Sequence, residues 1–174
     1  MSTLAARNKA EALVKRLRIS NPPVPVDRIA QELGLSVVYM NLGADVSGLL
    51  FSNGDSSCIA VQEGDHPNRR RFTIAHEIGH HYLRHQFEAG EHVHVDHGNY
   101  ISHRGPRSST GVDPKEIEAN QFAATLLMPS EMILRKVAAI RSEHLLDYHV
   151  SQLAESFGVS EQAMTIRLSG LGLL

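Results

Sequence analysis

The sequence predicts an α+β fold, because three short strand-like runs lie together between segments with helical periodicity. The runs are apolar and are separated by Gly and Asp, as expected of short strands; they cover 36–40, 48–51 and 57–62. In the flanking segments apolar residues recur every three or four positions; these segments cover 4–18, 68–85 and 114–128. We therefore expect a small antiparallel or mixed sheet packed on several helices.

Capping residues predict two shorter helices. Asp27 is predicted to cap a helix over 28–33, and Gly34 is predicted to end it at the position just after the last helical turn. Ser130 is predicted to cap a further helix that continues to about residue 140.

Length and composition favour a soluble, compact protein. A chain of 174 residues suits one domain, predicted as a core over about 1–140 and a helical subregion over about 141–174. The net charge of −2 gives no general attraction to nucleic acid or acidic membranes. Cys58 is the single cysteine, which excludes an intramolecular disulfide. Residues 1–20 have no signal-peptide core, and no later run approaches a membrane span, so we expect a cytoplasmic protein.

The C-terminal segment has the rhythm of a helix-turn-helix over 153–168. A version that reads DNA needs Lys or Arg to contact phosphates. Residues 142–174 contain Arg167 as their one basic residue, whereas four residues there are acidic. This charge predicts helices that are structural or that dock a partner protein, and it argues against direct DNA binding.

The strongest chemical signal is His76-Glu77-Ile78-Gly79-His80. Residues four apart share a helix face, so His76 and His80 can present two ring nitrogens to one metal ion. Glu77 is rotated by about 100° from His76, which suits a general base that does not itself bind the metal. The alternative is a surface helix with solvated histidines, but the apolar neighbours predict burial, where unpaired histidines are costly. The motif therefore predicts a metal site.

A catalytic zinc site usually has a third protein ligand. A site with a third histidine on the same segment would need glycine at position 83 and histidine at position 86, where this sequence has Leu83 and Gln86, and that class of site is excluded. Glu116 and Glu118 on the following helix are the alternatives; they lie on different faces, and spacing favours Glu116 without excluding Glu118. Asn120 lies one turn after Glu116 and can hydrogen-bond a ligand histidine.

Residues 88–112 show no clear period and are predicted to form a long loop. This segment contains four residues that can stabilise an oxyanion or contact substrate; they are His94, His97, Tyr100 and His103. For each of them, a solvated loop position is the simpler interpretation.

Two blocks of sequence resemble the ImmA/IrrE family of bacterial metallopeptidases. The first block is 71–80, Arg-Phe-Thr-Ile-Ala-His-Glu-Ile-Gly-His, and the second is 116–129, Glu-Ile-Glu-Ala-Asn-Gln-Phe-Ala-Ala-Thr-Leu-Leu-Met-Pro. The resemblance spans about 5–170 except for the loop. It implies a zincin-like metallopeptidase fold, one Zn²⁺ ion and Glu116 as the third ligand; Mn²⁺ and Fe²⁺ suit the same ligands.

The family resemblance also implies a function in gene regulation. Such peptidases cut one regulatory partner, typically a helix-turn-helix repressor or antitoxin encoded nearby, in stress-response or toxin–antitoxin settings. We therefore expect a zinc-dependent endopeptidase with Glu77 as its base. The alternative is a non-proteolytic regulator that keeps the zinc fold and acts by binding its partner, and such a binder has no need of Glu77.

Overall fold

The computed structural model describes residues 2–52, 56–85, 93–96, 113–140 and 144–174, with the backbone alone for 93–96. The helices in these residues are α1 (Thr3–Arg16), α2 (Val26–Glu32), α3 (Pro67–Leu83), α4 (Pro114–Leu127), α5 (Ser130–Ala138), α6 (Asp147–Phe157) and α7 (Glu161–Gly170). The strands are β1 (Leu35–Met40), β2 (Gly48–Ser52), β3 (Ser57–Gln62) and β4 (Val93–Asp96). Among the described helices, none has both the length and the apolar character needed to cross a membrane.

The sheet is mixed, with the strand order β1-β3-β2-β4. β1 runs parallel to β3, whereas β2 is antiparallel to both β3 and β4. The α+β class and the three strands predicted from sequence are thus confirmed. Both inner strands contribute alternate side chains to the core, where Leu50, Ile59 and Val61 are buried.

The prediction of a loop throughout 88–112 is wrong at β4. Val93–Asp96 pairs with β2, in a register that sets His94 opposite Leu50. Four residues are too few for a period of two to stand out in a histidine-rich segment. The edge of β2 supplies the backbone hydrogen-bond partners that define this strand, and sequence pattern does not report such partners.

Two predicted helix caps are also wrong. α2 begins at Val26, so Asp27 lies inside its first turn, although Gly34 follows the helix with φ 78° as expected. Pro129 takes the position before α5, and Ser130 is the first helical residue. Ser130 instead donates from both its backbone N and its Oγ to Glu11 Oε1, at 2.8 and 2.6 Å. A long-range carboxylate on α1 therefore replaces the local cap.

Helix α4 packs between α1 and α3. A Cβ atom added to Gly79 would lie 3.3 Å from both Cα and O of Ala119, so α3 and α4 touch through their backbones here. This contact is possible because glycine at position 79 has no side chain. It holds the N-terminal half of α4 against the His-Glu-x-x-His segment of α3.

The C-terminal helices predicted from 153–168 are α6 and α7, and two arginines join them to the rest of the chain. Arg71 on α3 donates to the carbonyl oxygens of Gly158 and Val24, at 3.1 and 2.9 Å. Arg167 on α7 donates to Met128 O and Ser130 Oγ, both at 3.0 Å. The bonds to Gly158 and Met128 satisfy carbonyl groups just after α6 and α4, and together with the bond to Ser130 they connect the C-terminal helices to the rest of the chain.

Replacing Arg167 with Met is expected to lower the free energy of unfolding by about 2 kcal/mol, because it removes charged hydrogen bonds from a site where Arg167 is 10% exposed. Chemical denaturation followed by circular dichroism measures the change. Arg28→Met is the matched control, since the Arg28–Glu32 pair is exposed and worth about 0.3–0.5 kcal/mol. Equal losses of unfolding free energy in the two variants would contradict the stabilising role assigned to the hydrogen bonds of Arg167.

Candidate metal centre

Helix α3 carries the central residues of the site. Pro67 occupies its first turn, where proline costs no hydrogen bond, and Asn68 N donates to the ring of His66 just before it. The stretch from Thr73 to His80 is buried. His76 and His80 lie one helical turn apart, and they are 0% and 1% exposed.

Glu116 on α4 brings its carboxylate to these two histidines. Its Oε2 lies 3.3 Å from His76 Nε2, and its Oε1 lies 3.2 Å from His80 Nε2. The two Nε2 atoms are 2.9 Å apart. The side chain of Glu116 is 33% exposed, so solvent reaches the cluster from the side of α4. The structure thus brings together the two histidines and the glutamate that the resemblance indicated.

Asn120 orients the first histidine. Its Oδ1 lies 3.0 Å from His76 Nδ1. Because an amide oxygen can only accept, this contact is a hydrogen bond when the His76 ring carries its proton on Nδ1. Nε2 then carries a lone pair directed at Glu116.

His85 and Glu118 lie on the other side of His80, and sequence reasoning missed this contact. His85 Nδ1 is 3.1 Å from His80 Nδ1, and His85 Nε2 is 3.2 Å from Glu118 Oε2. Burial lowers the pKa of His85, and the nearby Glu118 carboxylate opposes that shift. The sequence offers Glu118 as the alternative to Glu116 for the third metal ligand. The structure instead pairs Glu118 with His85.

The donor atoms lie close enough together to bind one metal ion. Ligands about 2.0–2.1 Å from zinc at the corners of a tetrahedron lie about 3.3 Å from one another. The two Nε2 atoms are 2.9 Å apart, and each lies close to a different oxygen of the Glu116 carboxylate, His76 to Oε2 at 3.3 Å and His80 to Oε1 at 3.2 Å. With one donor atom taken from each of the three residues, every pair of donor atoms lies within 4.8 Å. Three electron-rich donors that converge at this distance are stabilised by a cation between them.

Glu77 is completely buried on α3, next to His76. Its Oε1 faces β2, where a Cβ atom added to Gly48 would lie 3.7 Å away. The same added atom would overlap the Cγ2 methyl of Thr73, one turn before Glu77. Glycine at position 48 therefore allows β2 to approach the part of α3 that carries this carboxylate.

The remaining predicted contacts lie in the His-rich segment. Tyr100, His97 and His103 lie outside the described residues. His94 lies in β4, where the structure gives its backbone pairing with Leu50. Their role toward an oxyanion or substrate stays a prediction.

An α+β protein with a buried histidine pair and an adjacent glutamate is typical of metallopeptidases of the His-Glu-x-x-His class. The chain belongs to peptidase family M78, the IrrE N-terminal-like domain, whose model matches residues 30–169. The resemblance to the ImmA/IrrE family is thereby confirmed.

Two individual proteins are similar to this chain. Uncharacterized immunity region protein 2 of Bacillus phage phi105 is 24% identical over 132 residues, which cover 71% of this chain and 68% of the phage protein. A solved structure described as a Mycobacterium tuberculosis transcriptional regulator superposes with a TM-score of 0.59 at 19% identity. That match covers 95% of this chain and 46% of the other, so this chain spans about half of that protein, and the likeness concerns the fold alone.

Gly48→Ala is expected to destabilise the protein by about 1–3 kcal/mol, because the new methyl overlaps the buried Thr73 side chain. Thr73→Ser removes the obstructing Cγ2 methyl, so the double variant is expected to recover most of that loss. Urea denaturation of both single variants and the double variant gives the coupling. Additive losses would show that β2 does not approach α3 as described.

Proposed function

We propose that this chain is a zinc-dependent endopeptidase with a zincin-like core, which hydrolyses one regulatory partner protein at a specific site. The observation that carries the proposal is the convergence of His76, His80 and Glu116 on one point, with Glu77 buried beside them on α3. Membership in a peptidase family supports the metallopeptidase class.

In this proposal His76 and His80 bind zinc through Nε2, and Glu116 binds through its carboxylate. When bound, zinc supplies a Lewis acid for the scissile carbonyl and lowers the pKa of water from 15.7 to about 7. The side chain of Glu116 is 33% exposed, and substrate and water can enter the metal site from this side. Two histidines and one carboxylate leave a fourth position available, as catalytic zinc sites require.

Glu77 acts as the general base and then as the acid. Its carboxylate takes a proton from the attacking water and later delivers it to the leaving amine. Burial of Glu77 between α3 and β2 supports this role, because a carboxylate held away from bulk solvent keeps one orientation. Gly48 contributes by leaving the space beside Oε1 open.

The partner we propose is a helix-turn-helix repressor or antitoxin. The similar phage protein is named for an immunity region, and the similar solved structure is described as a transcriptional regulator. These names belong to those proteins, and they support a regulatory protein as the partner. A substrate of that kind makes the endopeptidase a regulator that inactivates its partner by cutting it.

Glu77→Gln is expected to abolish cleavage while zinc binding persists, because the amide cannot accept the proton of water and the three ligands remain. Purified protein is incubated with the repressor encoded beside its gene, with and without a chelator, and products are identified by mass spectrometry. Glu131→Gln on the surface of α5 is the matched control and is expected to retain full activity.

Cleavage that persists in Glu77→Gln would refute the assigned base. Stable binding of the repressor by the unaltered, zinc-loaded protein without any cleavage would favour the non-proteolytic regulator. Metal analysis of the purified protein reports zinc, manganese or iron directly.

Glu116→Gln is expected to lower zinc occupancy far more than Glu131→Gln, because an anionic ligand is replaced by a weak neutral one. Elemental analysis after dialysis against a buffered zinc concentration measures this occupancy. Unchanged zinc occupancy in Glu116→Gln would show that another residue is the third ligand.

A further inference from the structure

We propose that His85 and Glu118 are positioning residues that fix the orientation and the tautomer of His80, so that its Nε2 stays available to the metal. This inference rests on the proposed function, because it assigns how one ligand of the proposed zinc site is held. The carboxylate–histidine pair acts through His80 and touches neither substrate nor the reacting atoms.

The pair is continuous and buried. Glu118 Oε2 lies 3.2 Å from His85 Nε2, and His85 Nδ1 lies 3.1 Å from His80 Nδ1. The side chains of His85 and Glu118 are each 6% exposed, so water competes little for these contacts. Burying a carboxylate and an imidazole together is costly unless their polar atoms are satisfied, and here each satisfies the other.

The carboxylate of Glu118, at one end of this series of contacts, determines which ring nitrogen of each histidine carries the proton. An ionised carboxylate can only accept, so His85 donates to Glu118 from Nε2. A neutral ring that donates from Nε2 accepts at Nδ1, so His80 Nδ1 must donate to His85. His80 is then left with its lone pair on Nε2, the atom 3.2 Å from Glu116.

The backbone after α3 is folded to make this contact. Arg84 adopts a left-handed conformation with φ 58° and ψ 45°, which is unusual for a residue with a side chain. Its N donates to His81 O, and His85 N donates to His80 O at 3.0 Å. This reversal of the backbone directs His85 back toward the end of α3, so that its ring reaches His80.

The two ligand histidines are therefore oriented by different devices on the same helix. His76 donates to a neutral amide, Asn120, whereas His80 donates into a chain that ends at a carboxylate. A carboxylate–histidine pair makes the ligand ring more basic and fixes its rotation. α4 thus supplies the third ligand, Glu116, and also the two side-chain acceptors, Glu118 and Asn120, at which these contacts end.

Zinc affinity tests the proposal. The dissociation constant is measured by competition with a chromophoric chelator for the unaltered protein, Glu118→Gln, His85→Gln and the double variant. Each single change is expected to weaken zinc binding by about ten- to a hundredfold, the usual effect of losing an outer-shell partner. Because both residues act through His80, the double variant is expected to lose about as much as the more affected single variant. His81→Gln, the neighbouring half-buried histidine, is the matched control and is expected to bind zinc as the unaltered protein does.

The positions of the ring protons give a second measurement, which would not change if His85 and Glu118 only stabilised the fold. Long-range ¹⁵N–¹H spectra of the zinc-loaded protein are expected to show His80 protonated at Nδ1 and His85 protonated at Nε2. Glu118→Gln is nearly isosteric, so it keeps the test available if His85→Gln does not fold. A His85 ring protonated at Nδ1 would overturn the proposal, as would single variants that bind zinc normally or losses that simply add.

These results separate the two proposals. If the unaltered protein binds no zinc, the proposed function fails and this inference fails with it. If the unaltered protein binds zinc and cleaves its partner while Glu118→Gln and His85→Gln match it in affinity, the positioning role alone is refuted.

Discussion

The contact between Gly79 and the backbone of Ala119 is the constraint on which the candidate site depends. It sets the separation of α3 and α4 at the turn where His80 and Glu116 face each other. A side chain at position 79 would meet Ala119 Cα and O at 3.3 Å and press the helices apart. Since a zinc ligand set tolerates errors of only about 0.2 Å, close helix packing is a condition for the site.

Burial makes this arrangement demanding. Four polar side chains between the helices are almost completely buried, and each needs a partner to offset the loss of hydration; they are His76, Glu77, His80 and Glu118. Asn120 and His85 supply partners on the sides facing away from Glu116, which leaves the two Nε2 atoms directed inward. A metal ion at the centre would satisfy the remaining donors together. The cluster is therefore suited to hold a cation.

Much of this could be predicted from sequence, because it depends on local periodicity. The helices around His76 and Glu116, the strands at 36–40, 48–51 and 57–62, and the left-handed Gly34 all follow from local pattern. Spacing favours Glu116 over Glu118, but the family resemblance was needed to decide between them.

The features that sequence did not reveal depend on partners distant in the chain. β4 exists through its pairing with β2, and Ser130 is satisfied by Glu11, 119 residues away. The contact from His85 to His80 requires a left-handed Arg84, a conformation that residue type disfavours. Glu118 was placed by helical geometry on a face other than that of Glu116, and the reversal after α3 brought His85 to meet it there.

X-ray absorption at the zinc edge of the metal-loaded protein tests the central claim most directly. The account predicts one zinc per chain with two imidazole ligands, and nitrogen and oxygen donors at about 2.0–2.1 Å. A spectrum of zinc surrounded by oxygen alone, without imidazole scattering, would contradict it.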